Sequence, residues 1–124
     1  MPVEVIWDDE AHTILRQIYR GAISLDEYYQ ATQHVVEMAA TVEHTVHMIF
    51  DRRDVTSVPR RLLPVLRYAN SKVPPNAGLR LIVGANFSTR ITIDMGRIVA
   101  PQLIQHVLFV NSLEEAYAII ERQR

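Results

Sequence analysis

Short apolar runs alternate with helix-patterned segments along most of this chain, and that alternation limits the folds open to it more than any other feature. Val3, Val5 and Trp7 read as a strand, Asp8 to Ala11 as a polar turn, and Thr13 to Tyr19 as a second strand ended by Gly21, so the two predict a hairpin. Ser24-Leu25-Asp26-Glu27 is a capping box, in which the serine caps the helix and the glutamate reaches back to it. Leu25, Tyr28, Thr32, Val35, Val36 and Ala39 then recur at helical spacing. Val46 to Phe50 is continuously apolar, as a strand covered on both faces tends to be.

The second half repeats the pattern. Arg52 to Val58 reads as a polar loop, and Pro59 as the opening of a helix with Leu62, Leu66, Ala69 and Val73 on one face. Leu79 to Val83 is a strand, and Ser88 caps a third helix with Ile91, Met95 and Ile98 turned inward. Val107 to Val110 is the last strand. Ser112 to Glu115 is a second capping box, followed by Leu113, Ala116, Tyr117 and Ile120 facing the core. The order ββαβαβαβα predicts an α/β fold with a mixed sheet of about five strands packed with four helices, parallel in its later part. Residues 1–124 read as one domain, with no linker, repeat or low-complexity stretch. Right-handed crossovers bring the strand C-termini to one edge, where ligand sites of such sheets gather; Asp51, Gly84 to Ser88, Asn111 and Ser112 fall there.

Composition narrows the function classes. A net charge of −1 provides no field to draw the chain to nucleic acid or an anionic membrane. Cysteine is absent, which removes disulfides, thiol catalysis and thiolate metal sites together. No apolar run reaches the ~18 residues of a membrane span, and the acidic N-terminus is unlike a signal peptide, so a cytoplasmic protein is expected. Of the five histidines, His44 and His47 are the closest pair, but no His-Glu-x-x-His arrangement occurs and no metal or other cofactor is expected. Walker A, Gly-x-Gly-x-x-Gly and Gly-x-Ser-x-Gly motifs are missing as well. Asp51 and Asp54 lie beside four arginines, which depress carboxyl pKa values, so neither suits a general acid; the chain reads as a non-enzyme.

The exception to ordinary helix chemistry is Arg60-Arg61. The first and fourth helices begin with acids, as the helix dipole prefers, whereas these arginines fall in the expected first turn of the second helix, and Arg90 stands two residues past the third cap. Arg60, Arg61, Arg90 and the backbone around Asn86 to Ser88 would then form an anion site for a nucleotide, phosphate ester or lipid headgroup. Alternatively Asp51 and Asp54 pair with Arg52, Arg53, Arg60 or Arg61 as exposed ion pairs of little energy. Thr56 and Ser57 read as an N-cap, or as a phosphosite. A free hairpin face would support homodimer contacts through Trp7, Leu15 or Tyr19.

The order of elements, the Met48-Ile-Phe-Asp51 strand, the Arg52 to Leu66 loop-and-helix spacing and the Val107 to Ala116 segment resemble the STAS family. That family includes bacterial anti-sigma-factor antagonists and cytoplasmic domains of sulfate transporters. The resemblance implies a regulatory signalling domain that binds another protein through the loop 51–58 and the exposed side of the second helix, with Arg60, Arg61 and Arg67. The antagonists carry Asp-Ser-Ser-Gly with a phosphorylated serine where this chain has Pro59-Arg60-Arg61-Leu62, so switching by that phosphorylation is not implied.

Overall fold

The computed structural model describes residues 3–61, 63–85, 87–99, 101 and 107–124, with the side chains of 87–89, 92 and 99 outside the description. The elements are β1 (Val3–Trp7), β2 (Ile14–Ala22), α1 (Leu25–Ala39), β3 (Val46–Ser57), α2 (Leu63–Ser71), β4 (Ala77–Val83), α3 (Phe87–Val99), β5 (Val107–Val110) and α4 (Leu113–Arg122). The sheet runs β1-β2-β3-β4-β5; the β1–β2 pair is antiparallel and the others parallel. The expected α/β class and mixed sheet are therefore observed.

Neighbouring parallel strands follow one another in sequence, so right-handed crossovers must place every intervening helix on the same face. Tyr28 and Ala31 of α1 and Val65 of α2 accordingly pack with Val3 and Tyr19, Val35 of α1 with Leu15 and Met48, and Ile93 of α3 with Ile82 and Val107. The opposite face is left to α4, whose Ala116 and Ile120 are fully buried on Ile14, Ile49, Leu81, Val83 and Val110. Side-chain alternation along β3 thus aims Met48, Phe50 and Arg52 at the three helices and Ile49, Asp51 and Arg53 at the α4 side.

Both capping serines act as expected. Ser24 accepts from Glu27 N while Glu27 accepts from Ser24 N at 2.8 Å. Ser112 caps α4, but its box is opened by one residue, because Glu115 accepts from Asn111 N rather than from Ser112 N.

Several expectations are corrected. Arg52 to Ser57 is not a loop: β3 continues through it, because β2 itself runs on to Ala22 and offers ladder partners (Arg20↔Asp54, Gly21↔Val55, Ala22↔Ser57). Thr56 and Ser57 are consequently strand residues and not helix caps. Pro59 does not open α2 either; the helix starts at Leu63 with Pro64 in its first turn, a position that needs no backbone donor. The inward face of α3 is likewise not Ile91, Met95 and Ile98, which are 42%, 60% and 83% exposed, but Ile93 at 3%. Ile93 reaches the sheet beside Gly96, one turn on, which is also buried. Leu25 of α1, at 40% exposed, is outside the core for the same reason: the buried stripe is Tyr28, Ala31, Val35 and Ala39.

Candidate functional site

Asp51 registers with Val83, and Val83 with Val110, so Asp51, Gly84 and Asn111 share one edge of the sheet, as expected. Beyond that level β3 overhangs, paired only with β2. Between Ile18 and Arg20 the ladder shifts, giving β3 an extra residue around Arg52 and Arg53. The bulged backbone presses against Gly84, where a Cβ would sit 2.8 Å from the Arg53 Cα. Gly84 also has φ +74, a conformation that L side chains rarely adopt.

On the α4 side this edge carries a chain of charges. Asp51, 4% exposed, accepts from Arg53 Nε (2.9 Å) and Nη2 (2.8 Å). Arg16 Nη1 approaches the same carboxylate at 3.9 Å, and Arg16 Nε lies 3.5 Å from Asp8. Tyr117 of α4 donates to Asp8. Burial alone would raise the Asp51 carboxyl, but the Arg53 hydrogen bonds and the Arg53 and Arg16 charges outweigh it and hold the group below its ordinary value. A carboxylate kept ionised in this way orients arginines and does not donate protons. Sequence reading missed Asp8, Arg16 and Tyr117; the hairpin register, with Ile6 opposite Arg16, is the signal that brings Asp8 and Arg16 together.

On the helical side β3 presents a different arginine. Arg52 is 7% exposed, with its Cζ 5.2 Å from the Tyr19 ring and 5.5 Å from the Tyr28 ring. Its Nη2 is buried without a hydrogen-bond partner, and so is the Tyr28 hydroxyl. Among the described residues no carboxylate pairs with it. Each ring contact contributes about 0.5–2 kcal/mol. Burying an unpaired guanidinium costs several kcal/mol, so the rings offset only part of it.

The remaining expected residues are spread out. Arg53, Asp54, Thr56 and Ser57 are exposed along the overhang, and Arg60 and Arg61 are exposed in the connection before α2, not in the helix. Their charge therefore does not oppose the α2 dipole from its first turn. Arg67 is exposed on α2. Arg90 is half-buried with its guanidinium 4.8 Å over the Phe109 ring of β5. Ser88 lies one residue inside α3 by backbone, and its side chain, with Asn86, Leu62 and His106, is outside the described residues.

The dimer face expected on the hairpin is corrected too: Leu15 and Tyr19 are buried under α1, and Trp7 stacks on His12 at 4.4 Å. Two histidines make structural bonds, His44 to the His12 carbonyl and His47 from Leu79 N. Among the described residues no three potential ligands gather for a metal, and no helix is long and apolar enough to cross a membrane. The largest group that sequence reading placed inside and the structure places outside is the α3 stripe. Ile91, Met95 and Ile98, spaced by four and three, form one apolar face turned to solvent.

No protein-family model and no curated protein matches the chain. Solved structures match its fold, two of them as follows. The anti-sigma factor antagonist SpoIIAA in its unphosphorylated form superposes with a TM-score of 0.64 at 8% identity, over 98% of this chain and 99% of that one. An uncharacterized DUF3478-family protein with a SpoIIAA-like fold, from Shewanella loihica, gives 0.63 at 11% identity, over 94% and 90%. The fold is thus STAS-like, of the SpoIIAA kind.

Proposed function

We propose that this protein is a non-enzymatic, cytoplasmic STAS-like regulatory domain that acts by binding another protein. The observation that carries the reading is the outward stripe of α3, with Ile91, Met95 and Ile98 at 42%, 60% and 83% exposed. A soluble domain leaves isolated apolar residues in water, but a row on one helix face is the form that helix-docking partners recognise. Burying each of the three on a partner would contribute about 1.5–3 kcal/mol before ordering costs.

The exposed Arg60 and Arg61, with Arg67 on α2, are a second, basic part of the proposed contact, so the partner carries acids as well as an apolar surface. The contact expected along 51–58 narrows to the exposed side chains Arg53, Asp54, Thr56 and Ser57, since Asp51 and Arg52 are buried. On sequence spacing, Pro59-Arg60-Arg61-Leu62 stands where the antagonists carry their phosphorylated serine, so the reading includes no gating by that modification. The buried, ion-paired Asp51 supports a non-catalytic role.

The test is co-purification from the native host with wild type, Met95→Glu/Ile98→Glu and Arg60→Ala/Arg61→Ala. A partner retained by wild type, lost from the stripe variant and weakened by the arginine variant is expected. The same partner held equally by all three contradicts the reading. A wild-type homodimer that the stripe variant dissociates would replace the partner with a second copy.

A further inference from the structure

We propose that Arg52 and Tyr28 form a binding site for one small oxyanion, the phosphate group of a small phosphorylated compound or free phosphate. The site is separate from the α3 stripe. It lies where β3 alternation points Arg52 toward the α1 helix.

The chemistry follows from what the two side chains lack. Arg52 Nη2 and the Tyr28 hydroxyl are both buried and unpartnered, on residues only 7% and 6% exposed. A guanidinium has donors and no acceptor, so its missing partner must accept hydrogen bonds, and in a buried place it must also be negative. Nearby groups do not fill that need. The Tyr19 hydroxyl already donates to Gln17 at 2.5 Å, and burial raises its pKa despite the Arg52 charge, so it stays a neutral phenol. Tyr19 and Tyr28 present ring faces to the cation, which stabilise it without using its N–H groups.

A phosphate group presents several oxygens. In the proposed complex one oxygen accepts from Arg52 Nη2 and another from the hydroxyl of Tyr28, whose ring centroid lies 5.5 Å from Arg52 Cζ. Since Nη2 is covered, binding includes rotation of the Arg52 or Tyr28 side chain.

The experiment is a thermal-shift and calorimetric titration of the full chain with inorganic phosphate and with glycerol 3-phosphate, each against sodium chloride at equal ionic strength. The proposal expects saturable stabilisation of wild type. Arg52→Met should abolish it. Tyr28→Phe, which keeps the ring and removes one donor, should weaken affinity about tenfold, the loss of one charge-assisted hydrogen bond. If Arg52→Met does not fold, Tyr28→Phe decides. Tighter binding of glycerol 3-phosphate identifies an ester as the ligand, and tighter binding of phosphate the free ion. No phosphate-dependent shift in wild type, or equal shifts in wild type and Tyr28→Phe, overturns the proposal. So does a shift lost in Arg60→Ala/Arg61→Ala and kept in Arg52→Met. None of these outcomes depends on a protein partner.

Discussion

Arg53 lays its guanidinium along the carboxylate of Asp51, two residues earlier on the same strand, with Nε 2.9 Å and Nη2 2.8 Å from the two oxygens. Arg52, between them, faces the opposite side of the strand. Because the folded Asp51 carboxyl titrates below its unfolded value near ~3.9, it binds fewer protons in the folded state. Its stabilisation is complete above that unfolded value and is lost as pH falls through the lower folded one. We predict that Asp51→Asn lowers stability at pH 7 by about 3 kcal/mol, the low end for a broken buried pair because Arg53 stays half in water. The variant should also lose less stability than wild type on acidification below pH ~4. Urea unfolding from pH 7 to 3 reads both; parallel pH curves would refute it.

His47 acts in a higher window. Its Nδ1 accepts from Leu79 N at 3.0 Å, and burial, then the Arg124 charge, lower its pKa. Its contribution is therefore present above the unfolded value near ~6.5 and lost as pH falls through the folded one. We expect the melting temperature of wild type to begin falling below pH ~6.5, and His47→Gln to flatten that limb while leaving the carboxylate limb. An unchanged profile between pH 7 and 5 would show that the ring titrates normally.

Gly84 is required by its place against β3. A Cβ there would lie 2.8 Å from Arg53 Cα and Cγ, at a φ of +74. Gly84→Ala is predicted to destabilise by at least about 2 kcal/mol, from left-handed strain plus displacement of the bulge. Denaturant unfolding measures it. A change under about 0.5 kcal/mol would mean that the two strand ends do not touch.

The two isoleucines of α3 should behave oppositely. Ile93, 3% exposed, is predicted to cost about 2–4 kcal/mol on truncation to alanine. Ile98, 83% exposed, should change stability by less than about 0.5 kcal/mol. Equal costs would mean that the helix is rotated from the orientation described.

Local chemistry made much of the fold legible. Ser24 and Glu27 announce α1 because both partners of the box lie within four residues, and the apolar run at Val46 to Phe50 announces a central strand. What failed depended on tertiary context. The polar Arg52 to Ser57 is strand only because β2 extends far enough to pair with it. In α3, Ile91, Met95 and Ile98 outnumber Ile93, so periodicity chose the larger stripe, whereas the sheet receives the one beside Gly96. The candidate site was legible in kind but not in place. The arginines near the strand ends were visible, but strand alternation sends Arg52 to the helical face and Arg53 to the α4 side only because β3 continues through them, which the polar sequence does not announce.

The most direct test of the central claim is photo-crosslinking in the native host, with a photoreactive residue at Met95 or Ile98 and, as a control, at the exposed Glu43. The account predicts one defined adduct with another protein from 95 and 98 and none from 43. Identical adducts from all three positions, or none from any, would contradict it.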